Sequence, residues 1–429
     1  AVMSTSERGT RTQVEVKRSW KLPGVYAAAC ILLVILAAAT RGDVRVLLND
    51  KSQSYSIPDV VVAGAPVVWG LALVTIVITA WTIVSTLRRA SSPSWARVGA
   101  MVVVGVSTVF GFLVYAGSGS ATGSVTLTST LVSTVALSTP LIFGALSGVI
   151  SERVGVVNIA IEGDLLVGAF AGVMAASFFQ NPYAGLLAAP LAGAALGVLL
   201  ALFSVKYGVD QIIVGVVLNV LALGLTTFFA GTVMKNPAVS LNTNQYSLSS
   251  IKIPLLAEIP VVGPALFNQS ILVYLMYAAV IALAFFLFRS RWGLRLRACG
   301  EHPRAADTVG INVQRTRTTN TILGSAFAGL GGAFFTIGSG LAFTDNISAG
   351  NGYIALAAMI LGKWNPLGAM SAAVMFGFAQ ALAHMLPNLT SAVPSNLVSM
   401  IPYIVTIVAV AGFVGKSRAP AAENVPYVK

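Results

Sequence analysis

Two carboxylates and an amide stand close together at the start of an apolar stretch, as Asn158, Glu162 and Asp164 in GVVNIAIEGDLLVGAF. A carboxylate in hydrocarbon is costly, so these groups require a polar cavity, a partner or a ligand. Gly163, between the two acids, favours a helix break there, which would expose backbone groups to water or solute. The pattern predicts either a discontinuous helix at a solute path or the pairing of both acids with Arg153 or with a helix end near the interface.

Other polar side chains in apolar stretches are Gln211, Asn219, Gln380 and His384. Each alone is more typical of an interhelical hydrogen bond than of a solute contact. We include Asn219 in the predicted path. The two histidines and two cysteines cannot supply a metal cluster, and no Ser-His-Asp or HExxH pattern occurs. Lys363 is followed by Trp364 where a Walker A motif has Ser or Thr, so neither enzymatic chemistry nor an ATP site is predicted.

The composition is that of a polytopic membrane protein. Of 429 residues, 56% are hydrophobic and 9% charged, with a mean hydropathy of +0.84, whereas soluble domains have about 25% charged residues. The net charge of +12 is spread over several short loops, which indicates membrane topology and not nucleic-acid binding. We predict an all-α bundle of about 10–12 membrane segments with broken helices.

Basic residues orient these segments. The predicted parts are a cytoplasmic tail (1–23), N-terminal spans (24–126), a core (127–415) holding a cytoplasmic loop (289–318), and a cytoplasmic tail (416–429). Of 26 lysines and arginines, this alternation places outside only Arg41, Arg45, Lys51, Lys235 and Lys252. Both termini are therefore predicted to be cytoplasmic. The apolar piece 353–361 is shorter than the roughly 17 residues of a straight span and predicts a half-helix.

The basic loop RSRWGLRLRACGEHPRAADTVGINVQRTR contains the signals of a short helix. Pro303 favours the first helical position, Ala305 and Ala306 favour the helical state, and Gly310 can close the helix in a left-handed conformation. We therefore expect about two turns of helix outside the membrane. This helix is either a handle for a cytosolic partner or part of a solvated basic loop.

Three stretches resemble permease subunits of the branched-chain amino acid, simple-sugar and nucleoside group of ABC importers: RACGEHPRAADTVGINV, GVVNIAIEGDLLVGAF and GNGYIALAAMILGKWNPLG. The first is similar to that family's Arg-Ala-x-Gly-Glu-Asn-Pro coupling segment, with His302 in place of Asn. The matches run in order from about Leu127 to the C-terminus. Asn158 to Glu162 differ from the Gly-Gly-Ile-Asp-Leu-Ser of ribose-type permeases and from the Asn-Phe-Ala-His-Gly of amino-acid permeases, so the resemblance is closest to the nucleoside branch.

The resemblance implies a type II importer-like permease in a bacterial plasma membrane. Its partners would be a paralogous second permease, cytoplasmic ATPase subunits and an external substrate-binding lipoprotein. This chain would bind no cofactor, because ATP and Mg²⁺ would be held by the ATPase subunits. It would form a path for nucleosides at Asn158, Glu162, Asp164 and Asn219. The implied ATPase-coupling residues are Arg297, Gly300, Glu301, Pro303, Arg304, Ala305, Ala306, Asp307 and Gly310.

Two alternatives remain at this stage. The same machinery could import a simple sugar such as ribose or galactose. The chain could instead be a stand-alone secondary transporter driven by an ion gradient, with Glu162 and Asp164 as coupling groups.

Overall fold

The structure is a computed structural model. It describes residues 20–47, 58–88, 93–118, 124–234, 241–242, 246–389, 400, 402–403, 405 and 418–428. The polar N-terminus before residue 20 lies outside these residues. Of the last span, predicted at 397–414, only residues 400, 402, 403 and 405 are described.

The chain divides into two compact units. Unit 1 comprises residues 1–45 and 61–125, and its described part contains three helices that pack against one another. These are α1 (Lys21–Ala39), α2 (Gly64–Leu87) and α3 (Ser94–Ser118). Three short strands, β1 (Asp43–Leu47), β2 (Val60–Ala63) and β3 (Ser124–Thr126), are ordered β2-β1-β3.

Unit 2 comprises residues 46–60 and 126–429 and contains the remaining helices. They are α4 (Leu127–Arg153), α5 (Ile161–Phe178), α6 (Pro182–Ala201), α7 (Gln211–Phe229), α8 (Val262–Phe267), α9 (Ile271–Arg289), α10 (Arg291–Glu301), α11 (Pro303–Thr308), α12 (Val313–Gly332), α13 (Asn351–Leu361) and α14 (Pro366–Leu389). A π-helical turn extends α6 and α7, at Leu202–Lys206 and Ala230–Met234. Strands β4 (Ser250–Lys252) and β5 (Asn268–Ser270) pair antiparallel.

Within the described residues, nine helices are long and apolar enough to cross a membrane: α1 to α7, α9 and α14. The prediction of an all-α, multi-pass membrane bundle is therefore confirmed. Helix α13 is apolar but has only 11 residues, as expected for a half-helix. Between α7 and α9, the proline-interrupted residues 246–270 form only short elements.

The centre of unit 2 is built from closely packed helices that use small residues at their crossings. Helix α12 packs on α4, α5 and α6. A Cβ atom on Gly197 of α6 would lie 2.6 Å from the Cβ atom of Ser325 on α12, and one on Gly193 would overlap the Ser325 carbonyl oxygen. Glycines four residues apart therefore let these two backbones approach closely.

The helix break near the two acids lies earlier than predicted. Residues 154–160 are non-helical between α4 and α5, with Gly155 at φ +92°, whereas Gly163 lies in the first turn of α5. The predicted break at Gly163 was wrong because its missing side chain serves helix packing. A Cβ atom there would lie 3.0 Å from the Asn219 side-chain oxygen on α7.

Helix α12 also begins earlier than the apolar pattern indicated. The cytoplasmic loop is predicted to extend to residue 318, whereas the helix starts at Val313, after Asn312. The Asn312 side chain accepts a hydrogen bond from the backbone N–H of Arg315 at 2.9 Å and caps the helix. Its first turns are polar, so hydrophobicity alone does not mark their start.

Candidate functional site

Side chains satisfy the backbone where the chain breaks between α4 and α5. The Asn158 side-chain oxygen accepts from the backbone N–H of Ala160 at 3.1 Å, and its amide donates to the Ser147 hydroxyl at 3.1 Å. Gln211, at the start of α7, accepts from the backbone N–H of Val157 at 2.6 Å. Non-helical backbone at membrane depth is tolerated where the protein supplies such partners.

Glu162 holds the beginning of the half-helix α13. Its carboxylate accepts hydrogen bonds from the Ser348 hydroxyl (2.6 Å) and from the backbone N–H groups of Gly350 (2.8 Å) and Gly352 (2.6 Å). Gly350 has φ +83°, and a Cβ atom on Gly352 would lie 2.5 Å from the Glu162 Cα atom. A carboxylate at a helix N-terminus satisfies unpaired N–H groups and complements the helix dipole.

Asn219 of α7 connects the same two broken regions. Its side-chain oxygen accepts from the backbone N–H of Gly163 at 2.8 Å, and its amide donates to the Ile159 carbonyl at 2.9 Å. The amide also lies 3.3 Å from the Tyr353 hydroxyl of α13. Asn219 therefore uses both ends of its side chain to link α7 with α5 and α13.

Gln380 of α14 joins this network, whereas His384 is exposed. The Gln380 amide donates to the Asn351 side-chain oxygen at 2.6 Å, and the Asn351 amide donates to the Ser348 carbonyl at 2.8 Å. The start of α13 is thus bonded to α5, α7 and α14.

Asp164 is the exception in this region. It is fully buried, and neither carboxylate oxygen has a hydrogen bond of ordinary geometry, although Ser325 and Asn158 are the polar side chains beside it. Of the two alternative partners, Arg153 was wrong for both acids, whereas Glu162 does bond a helix end, the start of α13. The Arg153 guanidinium instead donates to the Trp364 carbonyl at 2.9 Å and lies 5.8 Å from the centroid of the Phe288 ring.

The structure therefore brings together all four residues predicted to line a path. Asn158, Glu162, Asp164 and Asn219 surround the start of α5, where it meets the start of α13. Each of the four residues is less than a tenth exposed. Asn158, Asn219 and Glu162 form hydrogen bonds to other residues of the protein. Their contact with a solute stays a prediction.

The short helix expected in the basic loop is present as α11. It starts at Pro303, and Gly310 follows it with φ +86°. The backbone N–H groups of Gly310 and Ile311 close it by donating to Asp307 and Ala306 at 2.9 and 3.0 Å. Sequence reasoning missed the preceding α10, which Ser290 caps by accepting from the backbone N–H of Gly293 at 3.2 Å.

One side of this α10–α11 segment is exposed in the part of the chain that the structure describes. Glu301, Arg304 and Ala305 are exposed, whereas Ala306 is 3% exposed and packs inward. The Arg297 guanidinium is held 5.4 Å from the centroid of the Phe288 ring on α9. The exposed side presents both charges and small residues to the solvent.

The other side of the segment touches the end of α4. A Cβ atom on Gly300 would overlap the Arg153 carbonyl oxygen, so α10 and α4 meet backbone to backbone. In turn, the Glu152 carboxylate accepts from the Trp364 indole N–H at 2.6 Å. Trp364 lies in the turn after α13, with φ +53°. The α10–α11 segment is thus connected through α4 to α13.

Sequence reasoning missed several residues of these contacts, notably Ser348, Tyr353 and Trp364. Their partners are far away in the chain: Ser348 bonds Glu162, and Trp364 bonds Glu152. A Trp in a polar turn that follows a half-helix was the available signal, because a buried indole N–H requires an acceptor.

Comparison with known proteins places these features in a family. Residues 130–410 match the family described as "Branched-chain amino acid transport system / permease component". The chain is 42% identical over 305 residues to the guanosine ABC transporter permease protein NupQ of Bacillus subtilis, covering 68% of this chain and 94% of that protein. It is 39% identical over 302 residues to the nucleoside ABC transporter permease protein NupC of Lactococcus lactis, with the same coverages.

A second guanosine ABC transporter permease protein of Bacillus subtilis, NupP, is 28% identical over 275 residues, covering 63% of this chain and 77% of that protein. No solved structure matches.

Proposed function

The chain belongs to the family of permease components of branched-chain amino acid transport systems, and from this we propose that it is a permease subunit of an ABC importer of nucleosides. The observation that carries the proposal is its 42% identity to a guanosine permease along 94% of that relative. The second relative, at 39%, is also a nucleoside permease. Around this predicted path, amide side chains outnumber the two carboxylates, which suits a neutral, polar cargo; they are those of Asn158, Gln211, Asn219, Asn351 and Gln380.

ATP would be hydrolysed by separate subunits that dock on the α10–α11 segment. This segment exposes Glu301, Arg304 and Ala305 and is closed by its own start and stop signals. The sequence itself lacks a phosphate loop. Gly415-Lys416-Ser417 has Val410 where a Walker A motif requires its first glycine.

The complete transporter would contain a second, paralogous permease and an external substrate-binding lipoprotein. Support for the second permease comes from Bacillus subtilis, in which two guanosine permeases, NupQ and NupP, both resemble this chain. The basic α10–α11 segment would face the cytoplasm together with both termini, in accordance with the distribution of lysine and arginine.

The contacts of unit 2 suggest how ATPase movement reaches the path. The ATPase would push on α10–α11, which touches the end of α4 at Gly300. Glu152 and Arg153 at that end hold the turn at Trp364, which follows α13. The start of α13 is held by Glu162. A shift of α4 would therefore move the Trp364 end of the half-helix while Glu162 of α5 holds its start, so that α13 tilts relative to α5 and opens the path to one side.

Uptake measurements test this proposal. The chain is reconstituted in vesicles with its second permease, the ATPase subunits and the binding protein, and radiolabelled guanosine, uridine, ribose and galactose are supplied separately. We expect ATP-dependent uptake of the nucleosides. If only ribose or galactose is taken up, the cargo is a sugar and the nucleoside assignment is wrong. Uptake by this chain without ATPase subunits would contradict the ABC mechanism and support an ion-coupled transporter.

A further inference from the structure

The carboxyl-terminal segment Arg418–Val428, here called the tail strap, lies against the α10–α11 segment. The backbone N–H of Ala422 donates to the Gly300 carbonyl at 2.8 Å, and that of Ala421 lies 3.4 Å from a Glu301 carboxylate oxygen. Ala422 is 7% exposed. Two turns fold the strap locally, with the N–H groups of Glu423 and Val425 donating to Pro420 and Ala422. The tail strap is thus a packed part of unit 2.

Arg317 of α12 fastens the strap. Its guanidinium is 2% exposed and donates to the Val425 carbonyl at 2.8 Å and the Ala422 carbonyl at 3.2 Å. A third carbonyl, that of Cys299 in α10, lies 3.5 Å away. In the part of the chain that the structure describes, no carboxylate forms an ion pair with this guanidinium. Among the described residues, the partners of this buried charge are therefore backbone carbonyls, which bond its two terminal nitrogens while its Nε–H has no partner, and two of the three carbonyls belong to the strap.

The surroundings of Arg317 leave little room for another arrangement. A Cβ atom on Gly155 would lie 2.7 Å from the guanidinium and 3.1 Å from the Ala422 carbonyl oxygen. At the far end of the strap, the Tyr427 hydroxyl hydrogen-bonds the carboxylate of Asp307 in α11. The strap therefore touches α10, α11, α12 and the break after α4, but leaves Arg304 and Ala305 of α11 exposed.

We infer that Arg317 is a positioning residue and that the tail strap holds the α10–α11 segment at the angle at which the ATPase subunits engage it. This inference rests on the proposed function. The physical reason is that α11 has only six residues and only one inward side chain, Ala306, that is fully buried. So short a helix is marginal alone and takes its orientation from tertiary contacts. The strap supplies such contacts on both sides of the junction between the two helices, at Gly300 of α10 and at Asp307 of α11.

The test measures the affinity of the ATPase subunits for the permease pair in nanodiscs, together with the thermal stability of the pair. Three variants are compared: truncation before Arg418, Arg317→Gln, and both together. Arg317→Gln removes the charged donor of two hydrogen bonds to the strap, and the truncation removes the two acceptors and exposes the guanidinium. We therefore expect the affinity of the ATPase subunits for the pair to fall about tenfold in each single variant. The double variant should bind no more than about twofold more weakly than the truncation alone, because the truncation already removes the two strap carbonyls that Arg317 bonds.

Matched variants separate positioning from general stability. Arg315→Gln removes an exposed arginine of the same helix that does not touch the strap, and its affinity should be unchanged. Arg317→Lys keeps the charge and should recover part of the affinity. Unchanged ATPase affinity after truncation would overturn the inference. So would a fold-loss of affinity in the double variant that equals the product of the two single fold-losses. If Arg317→Gln fails to fold, the truncation and Tyr427→Phe, which removes the bond to Asp307, decide the question. If even the unaltered pair binds no ATPase, the proposed function fails instead.

Discussion

Replacing Glu162 by glutamine tests whether this carboxylate holds the half-helix α13. In the structure one oxygen accepts from the Ser348 hydroxyl and the Gly350 N–H, and the other from the Gly352 N–H. Glutamine has the same size but only one acceptor oxygen. If that oxygen keeps the first two bonds, the new NH₂ group faces the Gly352 N–H, and two donors meet in a buried place.

The cost follows from these three bonds. Loss of charge weakens the two retained bonds by about 1 kcal/mol each, and a buried N–H without an acceptor costs about 1–3 kcal/mol. The sum is about 3–5 kcal/mol, which should lower the melting temperature of the purified protein by at least about 5 °C. Differential scanning fluorimetry in detergent measures this change. Glu301→Gln is the control, because Glu301 is exposed and has one 3.4 Å contact, so its effect should be small.

The same variant separates the capping role from the predicted path role. If the melting temperature of Glu162→Gln equals that of the unaltered protein while nucleoside uptake falls, Glu162 acts on the cargo and the capping argument is refuted. If both fall, the start of α13 depends on this carboxylate, and the transport defect follows from a displaced half-helix.

Three further results are expected. Arg304→Glu combined with Gly310→Pro should abolish co-purification of the ATPase subunits, since proline cannot adopt the φ of +86° at residue 310; Lys206→Glu, at the end of α6, is the control that should retain them. Asp164→Asn should maintain or raise the melting temperature, because it removes a fully buried carboxylate whose oxygens have no hydrogen bond of ordinary geometry. A large drop would show that the charge is required. An impermeant thiol reagent should label Arg304→Cys only from the cytoplasmic side; Cys299 should stay unlabelled in the folded protein at neutral pH, because it is buried and burial raises the pKa of its thiol.

The sequence predicted the elements whose signals are local. Pro303 and Gly310 mark the ends of α11 correctly, and the shortness of the apolar run before Lys363 predicts the half-helix α13. Glycines four residues apart on α6 are likewise a local signal of close helix packing, although they do not specify α12 as the partner. Each of these signals depends on a few neighbouring residues, so no knowledge of distant contacts is required.

The contacts that complete the site depend on residues far apart in the chain. Gly163 looked like a hinge, but its role is decided by Asn219 of α7. In the sequence, Arg317 is one of several basic residues of the loop, but in the structure its guanidinium donates to two carbonyls of the tail strap. Composition and spacing cannot show which distant carbonyl or carboxylate a given donor meets, so these roles follow only from the three-dimensional arrangement.

The polarity of α12 has a consequence for biosynthesis. This helix contains Arg315, Arg317, Asn320 and several hydroxyl side chains, and it is absent from the nine helices apolar enough to span a membrane. A translocon that releases helices into lipid one at a time would not retain such a segment alone. Because its partners α4, α5 and α6 are synthesised before it, α12 can leave the translocon against surfaces already assembled. The order of helices along the chain thus supplies the polar helix with neighbours at the moment of its insertion.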